Sequence, residues 1–101
     1  MGLIRISDHI GRCYSNKEGK TIQTILKREL NKGNPITVSF EKIDGVTSSF
    51  VNTAFIELLD DFEFNTIKSS IKFINTSKQI NEMIKDRFKF EVDRRKKLVL
   101  A

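Results

Sequence analysis

Apolar and polar positions along the chain change period several times, and each change marks an element. Leu3-Ile4-Arg5-Ile6 is a short run with β-branched content and reads as a strand over 3–6. A connection containing Gly11 follows, with a brief extended piece over 12–14. Ser15-Asn16-Lys17-Glu18 then matches the S-x-x-E capping box, in which the hydroxyl takes the amide three residues on and the carboxylate reaches back to the cap. Behind it Ile22, Ile25, Leu26 and Leu30 fall at i, i+3, i+4 and i+8, one apolar stripe of a helix over 16–32. Gly33 and Pro35 close that helix in the usual order.

Ile36-Thr37-Val38-Ser39-Phe40 alternates strictly, and its three apolar members favour strands, so 36–40 is the expected centre of a sheet. Asp44-Gly45 marks a turn. Thr47, Ser48 and Ser49 offer a choice of N-caps for a second helix. Its Phe50, Val51, Ala54, Phe55, Leu58 and Leu59 form two adjacent rows, a stripe wide enough for a helix pressed onto a sheet. This helix is expected to end near Asp60-Asp61, two carboxylates placed unfavourably against the C-terminal dipole.

Residues 62–70 read as a connection, and Ile71-Lys72-Phe73-Ile74 as a third strand. Thr76-Ser77-Lys78-Gln79 repeats the capping box in its T-x-x-Q form. Ile80, Met83, Ile84 and Phe88 then share one helical face. From Phe88 the signals conflict. Phe88, Phe90 and Val92 alternate with charges as in a strand, whereas Arg87/Glu91, Glu91/Arg95 and Asp93/Lys97 are helical i, i+4 ion pairs. The ion pairs favour a helix to about residue 93. The expected fold is α/β, a small open and mostly parallel sheet with packed helices in the order β-α-β-α-β-α. A single domain covers 1–93, and residues 94–101 form a basic, mobile tail.

Composition narrows the function classes. The chain has 101 residues, room for one modest core. No apolar run approaches the ~20 residues of a membrane span, and Arg5 and Asp8 interrupt any signal-peptide pattern at the N-terminus. The expectation is a cytoplasmic protein with no membrane partner. Cys13 is the only cysteine and His9 the only histidine. They cannot build a Cys/His zinc site, and nothing around either residue supports nucleophilic catalysis. Gly11, Gly19 and Gly33 are too scattered for a phosphate-binding loop. Glu57, Asp60, Asp61 and Glu63 read as a solvated acidic corner rather than a cation site. No metal, cofactor or catalytic residue is expected, and the chain reads as a non-enzyme.

The net charge is +5, and Arg94, Arg95, Lys96 and Lys97 supply four of the positive charges, so the tail is basic and the body is not. Those four residues are the candidate nucleic-acid contacts, through phosphate neutralisation. As a solvated helix end they would also complement the dipole.

The stretch from Ile36 through the Asp44-Gly45 turn to Thr47-Ser48-Ser49-Phe50 resembles the central strand-turn-helix of STAS domains, named for sulfate transporters and anti-sigma-factor antagonists. It is similar in particular to the small STAS-like family of unknown function. Ile10-Gly11-Arg12, the capped helix before the strand, and Ile71-Lys72-Phe73-Ile74-Asn75 extend the resemblance over roughly residues 4–88. The resemblance implies a bacterial or phage regulatory binding module that docks a histidine-kinase-like ATPase or serine kinase. Antagonists of this kind are switched by phosphorylation of a Ser in an Asp-Ser-Ser-Gly corner. Carried over, Thr47 stands for the Asp, Ser48 for the phosphorylated Ser, Ser49 for the next Ser and Phe50 for the Gly, so two of four positions depart. The candidate partner-binding residues are Thr47, Ser48, Ser49 and the next polar position, Asn52. Ordinary capping by Thr47 or Ser48 stays open beside the switch. So do a nucleic-acid module using the tail and a small phage-type inhibitor of a host protein.

Overall fold

Three four-residue strands lie side by side in chain order. β1 (Gly2–Arg5), β2 (Ile36–Ser39) and β3 (Ile71–Ile74) form one parallel sheet with β2 in the middle. The computed structural model describes residues 2–100, with the side chains of 98–100 left aside. Register puts Ile4, Val38 and Phe73 in one row and Leu3, Thr37 and Lys72 in the next. Period-2 alternation therefore sends the first row into the core and the second to the opposite face, where Leu3 and Lys72 are exposed.

The sheet advances in one direction, so right-handed crossovers put the connecting helices on the same face. α1 (Asn16–Asn31) packs along α2 (Ser48–Ala54), and α2 packs along α4 (Lys78–Leu100). Their buried stripes meet the sheet around Val38, Phe40, Phe50 and Phe55, all at most 1% exposed. Phe55 stands edge-on to Phe50 and Phe73, with ring centroids 6.0 and 5.2 Å away, a favoured aromatic geometry.

α1 matches its expected span. Ser15 and Glu18 complete the capping box. At the other end Gly33 (φ 74°) and Asn34 return their amides to Leu30 and Glu29, the hydrogen bonds of a Schellman motif. The extended piece at 12–14 is a single parallel bridge between Cys13 and Val46.

Several expectations need correction, beginning with the first strand, which is Gly2–Arg5 rather than 3–6, with Ile6 opening a 3-10 turn, and the last helix, which runs past residue 93 into the expected tail. The second helix does not run to Asp60: α2 stops at Ala54 and a 3-10 turn, Ile56–Asp60, follows. A continuing helix would pair the Thr53 carbonyl with the amide of Glu57, but the buried Gln23 side chain donates to that carbonyl instead. Residues 62–70 are not a plain connection, because α3 (Phe64–Ser70) occupies most of them and buries Ile67. The cap of α4 is Ser77 rather than Thr76; its hydroxyl accepts the Ile80 amide at 3.2 Å, and Gln79 turns away to the Val46 carbonyl.

From Phe88 onward the helical signals win. Ile80, Ile84 and Phe88 are buried along one face of α4, and Phe90 is exposed beneath the Arg87 guanidinium, 5.2 Å from its ring centre. The helix continues past residue 93 through Arg94, Arg95, Lys96 and Lys97 to Leu100; Ala101 lies outside the described residues.

Candidate functional site

The corner after β2 is built by two helix starts held side by side. Phe40 leaves the sheet with its amide on the Ile74 carbonyl, and Lys42 takes a positive φ of 67° in the turn that follows. Ser39, buried at the strand end, accepts at its hydroxyl from the Asn75 side chain (2.9 Å) and the Glu41 amide (3.2 Å). The Cys13–Val46 bridge then brings the segment before α1 against the segment before α2. Beside it the Thr47 amide donates to the Cys13 carbonyl at 3.0 Å.

Thr47 resolves the choice of cap. Its Oγ1 accepts the Phe50 amide at 3.3 Å and donates to the Tyr14 carbonyl at 3.0 Å. One hydroxyl thus satisfies a helix donor and ties the two starts together. Ser48 and Ser49 follow in the first turn of α2. Both are exposed, and among the described residues neither hydroxyl makes a hydrogen bond. Asn52 is half-buried and differently employed, accepting Arg87 Nε at 3.0 Å and so fastening α2 to α4. The four candidate residues therefore share one helix start but divide into a cap, two uncommitted hydroxyls and a latch.

Tyr14 is a further residue of this surface that sequence reasoning passed over. It is 53% exposed and is held at the corner through its carbonyl. The signal was its place before the capping box, where the chain is pinned: the amides of Tyr14 and Ser15 both donate to Glu18 Oε1 at 3.1 Å. Desolvation pushes the Glu18 carboxyl upward, but these amides and the Ser15 hydroxyl outweigh it and hold the group below its ordinary value.

Cys13 is fully buried, and burial, helped by the Glu18 charge, pushes its thiol up to about 12, so it carries no thiolate at neutral pH. His9 is exposed. The acidic corner diverges instead of converging. Glu57 accepts from Gln23 at 2.9 Å, Asp61 pairs with Lys27 at 2.7 Å, and Asp60 pairs with Arg95 at 2.6 Å.

The basic stretch sits at the far end of α4, on a different element from the α2 corner. Arg94 and Arg95 both bind Glu91, at 2.5 and 2.8 Å, so two of the four cations are already paired. Lys96 and Lys97 are exposed.

A family model described as a STAS-like domain of unknown function matches residues 18–81, from the first turn of α1 into α4, and so takes in β2, Thr47, Ser48, Ser49 and Asn52. No curated protein and no solved structure matches the chain.

Proposed function

The chain belongs to the STAS-like family of unknown function, and on that premise we propose that it is a non-enzymatic regulatory module that docks a protein partner through the start of α2. The observation that carries this reading is the pair of exposed, uncommitted hydroxyls on Ser48 and Ser49 beside a cap made by Thr47 alone. They stand just beyond the C-terminal end of the central parallel strand, where open α/β sheets usually bind their ligands. Because Thr47 caps the helix, Ser48 is free to change its chemistry without unfolding α2. A phosphate there would add about −1.5 to −2 charge next to a partner surface while remaining compatible with a helix start. The partner class is a kinase- or ATPase-like signalling protein of a bacterial or phage system, acting with this chain in the cytoplasm.

The nucleic-acid reading is weaker. Glu91 and Asp60 already neutralise much of the charge on Arg94 and Arg95, which reduces the phosphate contacts available to residues 94–97.

Capture with the full chain as bait, with and without nuclease, tests the proposal. A protein retained after nuclease and lost with Ser48→Asp supports it. Retention by Ser48→Asp equal to the parent, together with no phosphate on the native protein by mass spectrometry, overturns the switch.

A further inference from the structure

A second surface lies away from the α2 corner, where α3 and the turn before it face the C-terminal half of α4. Two hollows of about 460 Å³ each lie end to end there and share Phe64 and Val92 as their common wall. The floor is apolar: Ile67, Ile71 and Phe88 are buried beneath it, while Phe64, Phe73 and Val92 are only half-buried and line it. Along α4 the lining residues run from Lys85 through Lys89 and Val92 to Lys96. These positions follow one helical face over about 16 Å.

The rim is cationic. Lys68, Lys85, Lys89 and Lys96 are exposed, and among the described residues none of them is in an ion pair. The carboxylates on the lining are those of Glu63 and Asp93. An apolar trough three turns long, open on one side and edged by unpaired lysines, matches the apolar stripe and acidic flanks of an amphipathic helix. An acyl chain would gain more from an enclosed cavity than from a trough whose aromatic floor stays half-open to water. We propose that this groove docks an acidic amphipathic helix of a partner protein, with its apolar anchors on Phe64, Phe73 and Val92 and its carboxylates on the four lysines. The groove uses none of the residues of the α2 corner, so it stands or falls separately from the function proposed above.

The test is a ¹H–¹⁵N titration of the full chain with a helical peptide of about three turns, carrying Leu on one stripe and Glu elsewhere. The same peptide with Lys in place of Glu, and oleate, are titrated in parallel. The acidic peptide is expected to shift the amides of Phe64, Ile67, Phe88 and Val92 and to leave Ser48 and Ser49 unmoved. The double variant Lys85→Glu/Lys89→Glu, at two exposed positions, is expected to weaken it by about tenfold or more. Ser48→Asp is expected to change nothing in this titration. Absence of groove shifts with the acidic peptide, equal binding of the Lys peptide, or occupation by oleate but not by the peptide would each overturn the proposal.

Discussion

Arg95 reaches from α4 to Asp60 at 2.6 Å, and the same guanidinium donates to the Leu59 carbonyl at 3.1 Å. This contact gives one of the two carboxylates at the end of the 3-10 turn a cationic partner. Asp60 and Asp61 end the 3-10 turn after α2, and each is met by a cation from another helix, Arg95 from α4 and Lys27 from α1. The acidic corner is thus a clamp between elements distant in sequence.

Because the pair is well exposed, its coupling should be small. A double-mutant cycle on Asp60→Ala and Arg95→Ala, followed by urea unfolding, is expected to give about 0.5–1 kcal/mol. Arg95→Ala alone should cost more than Asp60→Ala alone, since it also abandons Glu91 and the Leu59 carbonyl. Equal single effects would mean the other two contacts contribute nothing.

Glu91 gives the protein an acid-sensitive point. Hydrogen bonds from Arg94 and then Arg95 hold its carboxyl at about 2, against an ordinary 4.5. The folded value lies below the unfolded one, so the stability this contributes is fully present above the unfolded value and is lost as pH falls through about 2. In urea melts at a series of pH values, Glu91→Gln is expected to lose stability at neutral pH and to show a shallower decline than the parent across that window. Parallel curves would show that Glu91 does not supply the acid sensitivity.

The parts of the fold legible in the sequence were those with a local signal. The capping box at Ser15, the stripe from Ile22 to Leu30, the Gly33 stop and the alternation at Ile36 to Phe40 each announce an element by spacing alone. What stayed hidden was decided across the sheet or between helices. Nothing near Thr53 shows that Gln23, 30 positions earlier, will donate to the carbonyl beside which α2 stops. α3 escaped because a run of Asn, Thr and Ser around Ile67 reads as loop, and its side-chain cap is missing. At the corner the sequence offered Thr47, Ser48 and Ser49 as equal caps. The choice fell to Thr47 because its hydroxyl alone also reaches the Tyr14 carbonyl.

Gly19 is another position decided by tertiary contact. A Cβ there would stand 2.9 Å from Thr53 Cβ and 3.0 Å from the Phe50 carbonyl oxygen, where α1 lies against α2. Gly19→Ala in an isolated helix would gain about 1 kcal/mol. Here the clash with α2 backbone should reverse the sign and destabilise by about 1–3 kcal/mol. Thermal and urea unfolding measure it, and a stabilised variant would show that α1 and α2 sit farther apart.

The claim that the α2 corner docks a partner through hydroxyls the fold does not need is tested most directly by one comparison. Thr47→Ala removes the cap and should cost about 0.5–2 kcal/mol of stability. Ser48→Asp should leave the unfolding free energy within about 0.5 kcal/mol of the parent. The decisive measurement is the dissociation constant of the purified partner for the parent and for Ser48→Asp, by titration calorimetry on both folded proteins. The account predicts that binding weakens by at least about tenfold with the fold intact. An unchanged constant would contradict it.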